Sequence, residues 1–199
     1  MGTPPTRRQE RRSVVDRRDL LREIIERELK MFVNVRNEGG TADCQKTPDA
    51  FRLMREMTLC VQSDAVLASY LQDLVRAETE ERNLMTEKYA RMDNRIPPLK
   101  SNEAIGEIVD AESRWRDSLR REFPHVLLED GRERFRRYLS CELETWSDQT
   151  LEGYRSLVTE ARKQGRNLAR ERYELLMERL GFRSLAAYER ALRENGRHA

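Results

Sequence analysis

Residues 82–89 read RNLMTEKY and residues 166–173 read RNLARERY. The two stretches lie 84 positions apart and share Arg82/Arg166, Asn83/Asn167, Leu84/Leu168, Glu87/Glu171 and Tyr89/Tyr173. Working outward, the same offset lays residues 23–92 over residues 107–176 without a gap, and 18 of those 70 positions are identical. Ile24/Ile108, Glu28/Glu112, Phe51/Phe135, Ser63-Asp64/Ser147-Asp148, Leu67/Leu151 and Tyr70/Tyr154 are among them. Self-similarity at a fixed period marks a supersecondary unit that buries its apolar face against its neighbour. Two copies predict two tandem repeats packed as a pseudo-twofold helical bundle, not an open solenoid.

Each unit reads as three helices. In the first, Leu21, Ile24, Ile25, Glu28, Phe32 and Val35 recur at helical spacing before the breaker Gly39-Gly40. The second opens at Thr47-Pro48, with proline at the first helical position, and carries Phe51, Met54 and Val61. The third opens at Ser63 as N-cap, with Asp64 complementing the helix dipole, and runs through Leu67, Tyr70, Leu74, Ala77 and Leu84 to Met92. Pro97-Pro98 end the unit, and residues 99–182 repeat the pattern. A short C-terminal helix over 183–195 follows Gly181 and is expected to pack on one end. No stretch alternates like a strand, so the fold class is all-α. The expected organisation is a basic N-terminal arm, partly disordered, over 1–18 and one helical domain over 19–199, with repeat one at 19–98 and repeat two at 99–182.

Composition narrows the function classes. The chain has 199 residues, enough for a sizeable core, and its 38 basic and 36 acidic residues nearly cancel. Charge balance together with long apolar periodicity favours a folded helical protein over a disordered one. No apolar run approaches the length of a membrane span, so no membrane association is expected, and the opening MGTPPT matches a myristoylation pattern by chance. Three scattered cysteines, Cys44, Cys60 and Cys141, point to reduced thiols and a cytoplasmic protein. Arginine dominates the basic residues, but acidic residues alternate with it, so nucleic acid is not an expected partner. Residues 1–22 carry seven arginines against three acids, which reads as a solvated helix extension or frayed tail in preference to a basic arm for an anionic partner. No phosphate-binding loop, dinucleotide fingerprint, catalytic-triad order or zinc-ligand spacing is present. The cofactor is therefore unknown, and His125 and His198 fall in no metal motif.

Candidate site residues come from comparing the two units. Glu28 and Glu112 lie on apolar helix stripes, where a carboxylate must be paired; Arg82/Arg166 or Tyr89/Tyr173 are the expected partners. They form either a duplicated structural ion pair or a pair of facing carboxylates. Polar inner-face residues present in only one unit need another reason. Arg55 matches Leu139, and Glu142 matches Thr58. These two form either a salt bridge across the pseudo-twofold or a substrate clamp with a general base. The loop NEGGTADCQ at 37–45 carries glycines absent from its counterpart, and Cys44 is the one plausible nucleophile. The candidate catalytic residues are thus Glu142, Glu28, Cys44 and Tyr89; the candidate substrate-binding residues are Arg55, Gly39, Gly40 and Gln45.

NEGGTADCQ, FRLMR at 51–55, NLMTEKYARM at 83–92 and FRRYLSCELETWS at 135–147 together resemble the bacterial domain-of-unknown-function family numbered 4125. The likeness runs over roughly residues 20–190 and is most specific at Gly-Gly…Cys-Gln and Glu-Lys-Tyr-Ala-Arg-Met. Thr41 stands where the family usually has an arginine, and Met57-Thr58 where it has a Ser-Gln-like pair. The resemblance implies that Glu28, Gly39, Gly40, Cys44, Gln45, Arg55, Tyr89 and Glu142 form a family-typical constellation. It implies no reaction. The expected function is a small-molecule enzyme whose pocket between the repeats takes an acidic or amino-acid-like metabolite; the alternative is a non-catalytic protein-interaction module.

Overall fold

Helix-start chemistry sets the architecture. Asp16, Ser63, Asn83, Asn102, Ser147 and Asn167 each accept a hydrogen bond from a backbone N–H in the first turn that follows, satisfying donors that the helix cannot. The computed structural model describes residues 16–36, 43–127 and 131–195. The loop glycines Gly39 and Gly40 and the arm up to residue 15 lie outside the described residues, as does the side chain of Cys44. Among the described residues there is no strand. The helices are α1 (Arg17–Val33), α2 (Pro48–Leu59), α3 (Asp64–Thr79), α4 (Leu84–Met92), α5 (Glu103–Glu122), α6 (Arg132–Leu143), α7 (Asp148–Lys163), α8 (Leu168–Arg179) and α9 (Leu185–Asn195). A 3-10 turn, Asp43–Lys46, precedes α2.

The third helix expected in each unit is two helices, so the described residues form nine α-helices where seven were expected. After α3, Glu81 takes φ +55° and the Arg82 N–H reaches back to the Ala77 carbonyl at 2.8 Å. After α7, Gly165 takes φ +67° and the Arg166 N–H reaches Ala161 in the same way at 2.8 Å. Each left-handed residue closes its helix with a C-terminal bond across the last turn. Asn83 and Asn167 then cap the next helix. Their side-chain amides also donate to the carbonyls of Met31 (2.8 Å) and Trp115 (3.2 Å), fixing the break against α1 and α5.

The core is built on α1, α3, α5 and α7, whose Ile24, Leu67, Leu74, Ile108 and Leu151 are fully buried. The halves of the chain pack on one another: α3 on α7, α2 on α8 and α4 on α6. At the α3–α7 contact the Ser69 and Thr150 hydroxyls lie 2.7 Å apart, and Asp73 accepts from Thr150 at 2.7 Å. A second cluster gathers Leu119, Met177 and Leu185 where α9 covers the end of α5 and α8. Arg17, the first residue of α1, donates to the Cys60 and Gln62 carbonyls at 2.7 and 2.8 Å and pairs with Asp64. No helix among the described residues is long and apolar enough to cross a membrane.

Candidate functional site

Glu28 is a carboxylate in the middle of an apolar stripe, with none of its surface exposed. Burying it requires compensation, which comes from two elements. Arg55 on α2 forks onto it, Nε to Oε2 at 2.7 Å and Nη2 to Oε1 at 2.6 Å. The Tyr70 hydroxyl on α3 donates to Oε1 at 2.7 Å. Arg55 Nη2 also donates to Glu142 on α6 at 3.0 Å, and Lys88 on α4 donates to the other Glu142 oxygen at 2.6 Å. The Lys88 ammonium sits 3.6 Å from the centre of the Tyr138 ring, which spreads its charge over an aromatic face. Two acids and two cations make this buried network formally neutral.

Eighty-four residues on, Glu112 is equally buried and is met by Arg172, Nη1 to Oε2 at 2.6 Å and Nη2 to Oε1 at 2.9 Å. The Tyr154 hydroxyl donates to Glu112 at 2.6 Å and accepts from Arg172 at 2.7 Å, while Arg172 Nε donates to the Thr58 carbonyl at 3.2 Å. Positions 28 and 112, 70 and 154, and 88 and 172 thus form like-for-like networks with one difference. In the second, the cation pairs directly with the helix carboxylate. In the first, Lys88 is diverted to Glu142 and Arg55 takes its place.

Burial pushes the Glu142 carboxyl up, but Arg55 and Lys88 outweigh it and hold it at about 2. Burial favours loss of charge at Lys88 and Arg55 too, and the carboxylates reverse it, so both stay more firmly protonated than usual. Tyr70 and Tyr154 lie well above the ordinary phenol range, chiefly because burial penalises the phenolate. Glu142, Lys88, Arg55, Arg172, Tyr70 and Tyr154 are all shifted away from neutrality, so none of these six is poised to exchange a proton there.

Between α2, α5, α6 and α8 lies a cavity of about 280 Å³. Arg55 and Glu142 reach its wall from one network, and Glu112 and Arg172 from the other. Met57 and Leu139 make part of its apolar surface. Gln62 and Trp146 also line it, and each buries a polar atom, Oε1 and Nε1, that has no hydrogen-bond partner. A wider groove against α5 and α6 stands more open to solvent and contains no member of either network.

Three of the residues singled out from sequence, Glu28, Arg55 and Glu142, therefore meet in one network. The expected partners of Glu28 and Glu112 do not: Arg82 and Arg166 bind Glu87 and Glu171 at the surface, because they sit in the turns that end α3 and α7. Tyr89 is half-buried beside Phe32, 6.2 Å between ring centres, and makes no hydrogen bond in the network. Gln45 is buried at the end of α1, donating to the carbonyls of Phe32 and Val35 at 2.9 Å each. Tyr70, Lys88, Tyr138, Tyr154 and Arg172 were missed. A signal for four of them was present, since Tyr70/Tyr154 and the cations Lys88/Arg172 occupy matching positions at the 84-residue offset. Among the described residues no cluster of three or more His, Cys, Asp or Glu side chains is arranged to hold a metal ion.

The model of one family, described as "Protein of unknown function (DUF4125)", matches residues 18–190. The chain belongs to that family. Searches of curated proteins and of solved structures return no match.

Proposed function

We propose that this chain is a cytoplasmic, small-molecule-binding protein whose pocket lies between two four-helix units related by an approximate twofold. Support for the units comes from element lengths and contacts: α2 and α6, and α3 and α7, have equal lengths and begin 84 residues apart, and each unit lends a helix to the other through α2 on α8 and α4 on α6. The reading is carried by the 280 Å³ cavity, whose wall brings charged side chains from both networks to one apolar space. Its size is at the lower end of ligand pockets. Its cations suit an acidic metabolite.

Binding is the form of this reading that the electrostatics favour over catalysis. A carboxylate held at about 2 is a weak base at neutral pH, so Glu142 anchors the pocket and does not accept substrate protons. Ala169 supplies the room: it lines the cavity at the position where Met85 stands 84 residues earlier. Native mass spectrometry of the purified protein, with and without exposure to a bacterial metabolite extract, tests the proposal. A retained mass of small-metabolite size is expected on the wild type and not on Ala169→Met, which refills the space. If the wild type captures nothing, the pocket reading falls and a protein-interaction module takes its place.

A further inference from the structure

Arg116 on α5 lines the same cavity with its guanidinium carbon 5.3 Å from the Phe135 ring centre. It forms no salt bridge with any described residue, in a molecule where the arginines around it are paired: Arg55, Arg136, Arg172 and Arg179 all meet carboxylates. The position 84 residues earlier is Phe32, which stacks on Phe51 at 4.6 Å between ring centres. One unit closes this place with an aromatic pair. The other keeps the second ring, replaces the first by a cation and leaves a cavity beside it. Nearby, Arg55 commits Nε and Nη2 to Glu28 and Glu142, leaving Nη1 without a partner among the described residues.

Resting on the pocket reading above, we propose that Arg116 is the anion-recognising residue of this cavity and that the ligand is a monocarboxylate with an apolar body. Formal charge chooses the anion. Arg55, Arg172 and Arg116 against Glu142 and Glu112 leave the wall one positive charge in excess, which one carboxylate neutralises. A phosphate monoester carries close to two negative charges and would face both wall carboxylates. An amino acid's ammonium would find only carboxylates already engaged by arginine or lysine. Met54, Met57, Phe135 and Leu139 supply the apolar surface for the remainder. The unpartnered Gln62 Oε1 and Trp146 Nε1 mark a wall that a bound molecule or water completes.

Calorimetric titration with 3-phenylpropanoate and 4-methylpentanoate tests this, with 3-phenylpropanamide, phenylalanine and phenyl phosphate as counterparts. At least one acid is expected to bind, with the amide weaker by roughly tenfold or more, the scale of a charge-assisted contact. Arg116→Gln should lower affinity for the acid to the level of the amide with little change in melting temperature, since Arg116 has no salt bridge to a described residue to lose and gives up only its contact with the Phe135 ring. Arg116→Phe, which copies position 32, should abolish binding. The inference is overturned if neither acid binds at millimolar concentration, if the amide or phenyl phosphate binds as well as the acid, or if Arg116→Gln binds the acid undiminished. Native mass spectrometry separates this failure from that of the pocket itself. A metabolite retained equally by wild type and Arg116→Gln leaves the pocket standing and removes Arg116 from recognition.

Discussion

Glu142 shows how pairing beats burial at a single residue. Its carboxyl ordinarily titrates near 4.5 and is held at about 2 in the folded chain. A depressed carboxylate contributes stability that is fully present above its unfolded value and is lost as pH falls through the folded one. Stability should therefore decline between about pH 4.5 and pH 2, by something on the order of 3 kcal/mol from this group. Arg55→Leu leaves buried Glu28 with the Tyr70 hydroxyl but no cation, and Glu142 with Lys88 alone, and should cost about 3–5 kcal/mol at pH 7, as breaking one side of a buried pair does. The double variant Arg55→Leu/Glu142→Thr places at both positions what the other unit uses. It frees Lys88 to pair with Glu28 as Arg172 pairs with Glu112. Its cost should fall well short of the sum of the single variants, and the Glu142 acid limb should disappear, both read from urea midpoints across pH. The meeting of Arg55 and Glu142 was legible in sequence because each breaks the match between units on an inner face. Lys88 was not, since a lysine on an amphipathic helix ordinarily reaches water, and only the turn before α4 aims it inward.

At the scale of elements, apolar periodicity found the α-helical stretches of the described residues but not every end. Leu74, Ala77 and Leu84 keep a helical rhythm across residues 80–83, so the hydrophobic pattern alone runs α3 into α4. The break is written in polar residues: Asn83 and Asn167 as caps, and Gly165 at a left-handed position. Ser63 and Ser147 were read correctly because each precedes an acidic residue and a fresh apolar run. The turn itself gives a clean test. A Cβ built on Gly165 meets nothing within 4 Å, so the cost of Gly165→Ala is conformational alone, about 1 kcal/mol at φ +67°. Glu81→Gly, at φ +55°, should move stability the other way by a smaller amount, because glycine's greater unfolded-state freedom offsets part of the relief. Thermal and chemical denaturation of the two variants should show opposite signs. Like signs would mean that the two turns do not end their helices in the same manner.

For the molecule as a whole, the α3–α7 contact decides how far apart the halves sit, and therefore how wide the space between α2 and α8 is. The contact is narrow at Gly153, where an added Cβ would stand 2.8 Å from Val66 Cγ2. Helix propensity alone makes Gly153→Ala favourable by about 1 kcal/mol. Steric overlap acts against it, and valine is poorly able to yield because its branched side chain has one strongly preferred rotamer in a helix. Neighbouring pairs add to the resistance, since the Ser69–Thr150 and Asp73–Thr150 bonds fix the same two helices at hydrogen-bonding distance. Overpacking should therefore win, with Gly153→Ala less stable by about 1–2 kcal/mol. Val66→Ala in the same chain should recover most of that loss by removing the methyl groups in the way. The pair forms a compensating cycle, measured by chemical denaturation. Ligand retention should follow the same order, falling in Gly153→Ala and returning in the double variant, because prising α3 from α7 also shifts the helices that frame the cavity. Full stability in Gly153→Ala would mean that the halves slide without penalty. The cavity between them would then lack the fixed walls that recognition of a small acid demands.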